Sequence, residues 1–214
     1  MAVVPDGQNL LFALCHEMGN LVGAIRLQTH LLDQEMSPRD LVSARSEIDV
    51  LGARVSALLS LVRPVHEAIS PFAGDGLDPD DTLAVVEHGL DPLTLPGVDV
   101  AFAPGGSGRR VRIDRNALQA LVTSFVYLAV EQVRPAGRVR VAVEDGDGRA
   151  AIVIEDDGQP DRSLAAWQDE PLRGRTLLCA VASRVAEAVG GELQTESSSK
   201  GSRVAIWAPD TEIG

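Results

Sequence analysis

Apolar positions in the first third of the chain recur with a helical period. Leu10, Leu14, Met18, Leu21, Ile25, Gln28 and Leu32 follow one another at spacings of four and three, an almost unbroken apolar stripe that predicts a helix from about Gln8 to Asp33. After Ser37-Pro38 a second helix is expected from about Arg39. There Leu41, Ala44, Ile48, Leu51, Val55, Leu58 and Val62 alternate spacings of three and four without a break. Pro64 should end or bend it. A short polar turn joins the stripes, so the segment reads as a helical hairpin. A lone hairpin leaves its outer apolar surface uncovered. Two copies packed as an antiparallel four-helix bundle would cover it, so the pattern predicts a homodimer; the alternative is that the hairpin packs on the chain's own second half.

The pattern changes beyond residue 69. Pro71, Gly74, Gly76 and Pro79 mark residues 70–81 as a linker. Val98 to Phe102 and Val111 to Ile113 are strand candidates around the turn Gly105-Gly106-Ser107-Gly108. Asp114 can cap a helix from about Arg115 to Val133, stopped by Pro135 and Gly137. Arg138 to Glu144 alternates as a half-buried strand, and the turn Asp145-Gly146-Asp147-Gly148 leads into Ala150–Ile154. A helix from about Arg175 to Val189 ends at Gly190-Gly191, followed by strands over Glu192–Glu196 and Arg203–Trp207. The chain is therefore α+β: a helical hairpin over 1–69, a linker over 70–81, and over 82–214 a sheet with helices on one face.

Composition narrows the function. The 214 residues, 45% hydrophobic, can bury a substantial core, and an aromatic share of 3% makes that core aliphatic. With 31 acidic against 19 basic side chains the formal charge is -12, which disfavours a nucleic-acid binder. No apolar run approaches the ~20 residues needed to cross a bilayer, and Asp6 and Gln8 interrupt the apolar start, so no membrane segment and a cytoplasmic location are expected. Cys15 and Cys179 make no disulfide framework and have no zinc-type spacing, so no metal site is expected.

The sharpest local feature is Cys15-His16-Glu17-Met18-Gly19-Asn20. The buried stripe passes through Leu14 and Met18. His16 lies two residues from each, about 200° around the axis, so its ring should project to solvent. One ring nitrogen can attack phosphorus while Glu17 takes the proton of the other, with Asn20 one turn along. Read by position alone, His16 fits an ordinary surface histidine, the commoner fate of a single histidine. His30, His66 and His88 have no comparable setting. A zinc motif of the form His-Glu-x-x-His fails because Asn20 stands where the second histidine would be.

His16-Glu17-Met18-Gly19-Asn20, followed by Ala24-Ile25, resembles the phosphoacceptor H-box of bacterial histidine kinases, with Leu21 in place of the usual proline. The resemblance covers nearly the whole chain. It implies that the hairpin is a dimerisation and histidine-phosphotransfer domain and that the second half is a histidine-kinase-type α/β sandwich. The family's ATP-binding boxes are degraded. Setting Gln119-Ala120-Leu121 at the start of the magnesium-holding box puts Thr123 and Tyr127 where asparagines belong. Asp156 and Gly158 match the loop whose aspartate reads the adenine amine, but Pro160 replaces its second glycine. Thr176 and Leu178 stand at the two glycines of the phosphate cradle, with Gly174 retained upstream. Asp156 and Gly158 are thus remnants of that loop, or an ordinary acidic turn at a strand end, and no nucleotide cofactor is implied.

A kept phosphoacceptor beside a ruined ATP site resembles the ChpT-type histidine phosphotransferases. That resemblance implies a dimeric phosphorelay protein acting through phosphohistidine rather than as an autokinase. His16 would take a phosphoryl group from the receiver domain of a hybrid histidine kinase and pass it to downstream response regulators, with the metal supplied by the receiver. Glu17 and Asn20 would assist, and Leu21 and Val22 are candidate docking contacts. Two other readings stand beside it: a pseudo-kinase scaffold in which His16 is incidental, and an active histidine kinase.

Overall fold

The computed structural model describes residues 6–32, 37–66, 76–90, 97–106, 108–146 and 148–211. The two stripes form the hairpin, α1 (Gly7–Leu32) and α2 (Pro38–His66). Ser37 opens α2, its hydroxyl accepting from the Asp40 N–H at 3.3 Å. Pro64 lies near the C-terminal end of α2, where the sequence places it. It sits in the last turn, where its missing N–H removes one hydrogen bond, and the helix runs on to His66. At 26 residues α1 is long and apolar enough, by length and composition alone, to cross a bilayer, a test that a core helix also meets. Here it packs through Leu10, Leu14 and Leu21, which join one core with the rest of the chain.

α3 (Pro79–Gly89) begins inside the segment read as a linker. Asp78 caps it by accepting from the Asp80 N–H at 2.9 Å, and Pro79 occupies the first turn, where a missing N–H costs nothing. Residues 70–75 of that segment lie outside the described residues. Next come β1 (Val98–Ala103), α4 (Arg115–Val133), β2 (Gly137–Gly146), β3 (Arg149–Asp156), the short α5 (Arg162–Ala165), α6 (Gly174–Glu187), β4 (Glu192–Ser198) and β5 (Gly201–Pro209). Asp114 caps α4 as expected, accepting from the Ala117 N–H at 2.8 Å. Val111 to Ile113 is not a strand; Val111 makes only isolated bridges to Leu77 and Asp210.

The sheet order is β1-β2-β3-β5-β4, with β1 parallel to β2 and every other pair antiparallel. Alternation gives the sheet two unlike faces. Val139, Val141, Ile152, Ile154, Val204 and Ile206 point into the main core with α4 and α6. The other face carries a ladder of charges across the strands, Arg140–Glu155 at 2.9 Å and Arg203–Glu144 at 2.7 Å, over a small patch of Ala151, Val153 and Ala205.

The hairpin does not stand apart from this layer. α2 packs on α4, and α1 and α2 both touch α6, so Leu61 and Val65 are fully buried. Each such side chain contributes about 1.5–3 kcal/mol of burial. The heptad stripe of α2 is divided as a result. Ala44, Leu51 and Leu58 are buried, whereas Ile48, Val55 and Val62 are only half covered and Leu41 is exposed, as is Leu59 beside the stripe.

Candidate functional site

His16 lies on α1 with its side chain exposed, as the helical period requires. The face around it is unusual for a core helix. Phe12, one turn before, is 76% exposed, and Leu27, further along, is 62% exposed. Between them Gly19 and Gly23 have no neighbour within 4 Å of where a Cβ would sit, so the backbone is bare. Asn20, also exposed, is one turn from His16 on the same side. Of the expected docking contacts, Leu21 is 6% exposed and belongs to the core, and Val22 stands at 39% exposed. Phe12 and Leu27 escaped the sequence reading because they fall off the stripe that the period selects.

Glu17 is placed differently. One residue on, it is rotated about 100° from His16 and half buried, on the wall of a cleft between α1 and the second half. That cleft, about 440 Å³, is also lined by Leu128, Glu131 and Gln132 of α4 and by Asp161, Ser163, Arg173, Gly174 and Arg175. Arg54 of α2 pairs with Glu131 of α4 and ties the hairpin to the second half. The Glu131 carboxyl is pushed above the ordinary carboxylate range, first by burial and then by Glu17 and Glu47, against the opposing pull of Arg54 and Arg134.

The residues at the nucleotide position make an internal ion pair. Asp156, its side chain 3% exposed, accepts from the Arg175 Nη2 at 2.5 Å and from the Gly158 N–H at 3.1 Å. Arg175 is itself 9% exposed, and its Nη1 lies 3.8 Å from Asp161. The carboxylate that would read an adenine amine is therefore satisfied from within. The neighbouring strand β5 is packed as closely: a Cβ on Gly201 (φ 121°) would fall 1.7 Å from the Asp156 carbonyl oxygen. Asp161 is held too, since its N–H donates to Ser197 Oγ at 2.8 Å and its carboxylate accepts from the Ser163 hydroxyl at 2.6 Å.

The phosphate end does not fit a nucleotide either. Thr176, 4% exposed, donates its hydroxyl to the Pro171 carbonyl at 2.5 Å and fills space where a cradle needs bare backbone. Leu178 is 2% exposed and turned toward α2, lining a small cavity with Glu17, Arg54, Leu58, Ser124 and Leu128. The magnesium-holding positions need a correction. Thr123 and Tyr127 face away from α6, into a groove with α2 and α3. The α4 residues facing α6 are Ser124 and Leu128, one position later than the sequence reading had them. The outcome is the same, because leucine offers no oxygen ligand to a hard cation. A magnesium-bound ATP does not fit these residues.

Of the two cysteines, Cys15 is exposed beside His16 and Cys179 is buried in α6, its thiol pushed up to about 12 by burial.

Comparison with known proteins agrees with the fold. No protein-family model matches the chain. It is 26% identical over 219 residues to the sensor histidine kinase ZraS of Klebsiella oxytoca, an alignment covering 94% of this chain and 46% of that protein. The chain spans less than half the length of the curated relatives it matches. Among solved structures, the Acinetobacter baumannii histidine kinase AdeS superposes with a TM-score of 0.62 at 16% identity, covering 92% of this chain and 98% of that one. A structure described as a bacterial phosphotransferase superposes with a TM-score of 0.52 at 18% identity, covering 93% and 94%. The chain has a histidine-kinase-like fold, a helical hairpin followed by the α+β sandwich of histidine kinase ATP-binding domains.

Proposed function

We propose that the chain is a cytoplasmic phosphorelay histidine phosphotransferase that moves a phosphoryl group between receiver aspartates through His16, without phosphorylating itself from ATP. The observation that carries this reading is the contrast between an exposed His16 and an Asp156 closed by Arg175. An imidazole nitrogen of His16 attacks the phosphorus of a receiver's acyl phosphate. The N–P bond forms as the P–O bond to the aspartate breaks, and the aspartate leaves as carboxylate. Glu17 accepts the proton of the other ring nitrogen, and the steps reverse onto the next receiver. Phe12, Val22 and Leu27 supply the apolar contact for the docked receivers, hybrid kinase first and response regulator second. A homodimer is part of the proposal: the half-covered Ile48, Val55 and Val62, with exposed Leu41 and Leu59, form the seam that a second copy would cover.

The curated relatives are named as kinases, so the competing reading is autophosphorylation from ATP. The test follows label from a panel of phosphorylated receivers onto wild type and His16→Ala and then onto a second receiver, beside an ATP-only arm. Passage through wild type alone is expected. Label from ATP would restore the kinase reading. No label from a panel containing the true partner would leave a scaffold.

A further inference from the structure

Glu17 has two possible partners. Its neighbour His16 faces solvent, about 100° away around α1, while its own carboxylate lines a cavity wall shared with Arg54. The Arg54 side chain is 13% exposed, and a guanidinium so withdrawn from water needs a carboxylate close by. Two acids from opposite sides offer one: Glu17 on α1 and Glu131 on α4, which line the same cleft. In the structure Glu131 has it.

We propose that Glu131 is a positioning residue, holding Arg54 so that the Glu17 carboxylate stays available to the imidazole of His16. The inference rests on reading His16 as the phosphoacceptor, and it adds a role for the second half of the chain beyond docking. Remove the Glu131 charge, and Arg54 takes the remaining carboxylate on its cavity, drawing Glu17 away from the ring. The groups facing Glu131 are Arg54 and Glu47 from α2, Glu17 from α1 and Arg134 from the end of α4; Asp161, Arg173 and Arg175 line the far wall of the cleft.

The test is an NMR titration of the His16 ring in the full chain, for wild type, Glu131→Gln, Arg54→Met and the Arg54→Met/Glu131→Gln pair. It is followed by phosphoryl acceptance from a phosphorylated receiver. With the Glu17 carboxylate drawn away from the ring, Glu131→Gln should move the His16 ring titration to lower pH than in wild type. It should also slow acceptance about tenfold, a loss on the scale of part of a general base. The double variant should restore both values, and Arg54→Met alone should leave both near wild type. An unchanged His16 pKa in Glu131→Gln, or a double variant as slow as the single, would overturn the proposal. A role in holding the domains together would make the double variant no better than Glu131→Gln. The titration needs no phosphoryl donor, so it decides the proposal even where no receiver labels His16.

Discussion

Two sites that a histidine-kinase-like fold would use together are finished in opposite ways. On α1, His16 stands on an exposed face with Phe12, Leu27 and bare glycine backbone around it. Across the cleft, Asp156 and Arg175 are withdrawn from solvent and bonded to each other. The difference is one of an open surface against an internal ion pair. A buried carboxylate left without its ligand would cost several kcal/mol, and an arginine from the same fold offsets that cost. The segment between β3 and α6 is anchored through Asp161, Ser197 and Thr176.

The comparison can be broken at either side. The largest effect is expected at His16. His16→Ala should abolish phosphoryl acceptance from receivers, a loss of about a thousandfold or more, with an unchanged circular dichroism spectrum. Next comes the closed side. Arg175→Met leaves the Asp156 charge buried and unpaired, and should cost about 3–5 kcal/mol in urea unfolding. Millimolar ATP should not return it, because Thr176 and Leu178 still fill the phosphate end. A third change, Leu59→Glu, puts a charge on the exposed seam of α2 and should move the protein toward monomer in sedimentation.

Smaller effects sharpen the open face. Phe12→Ala and Leu27→Ala should each weaken receiver binding about tenfold. Stability should stay within about 0.5 kcal/mol, since both side chains are mostly in solvent. Smallest is a thiol test. With the Cys179 thiol pushed up to about 12, it stays protonated and buried at pH 8, so iodoacetamide should label Cys15 alone in the folded chain and both cysteines in urea.

The hairpin was legible because helical period writes itself into the sequence, and His16 was legible because its offset from that stripe sets its exposure. The start of α3 was not. Asp78, Pro79, Asp80 and Asp81 are turn residues by composition, and only the capped geometry shows that the same residues begin a helix. The face of α4 was misplaced by one residue because, without asparagines, the box has no anchor; the neighbours of Ser124 and Leu128 settle it. The Asp156–Arg175 pair was hidden because Arg175 follows Gly174 and reads as a helix start rather than as a plug. Nor could a linear pattern bring Glu17, Arg54 and Glu131 together, since they come from three helices.

The central claim is that phosphate reaches His16 from a receiver and not from ATP. Intact-protein mass spectrometry of the same sample, split between magnesium-ATP and a phosphorylated receiver, tests it most directly. The account predicts one added phosphoryl group from the receiver, absent in His16→Ala, and none from ATP. A phosphoryl group gained from ATP would contradict it, because it would mean that Arg175 does not close the nucleotide site.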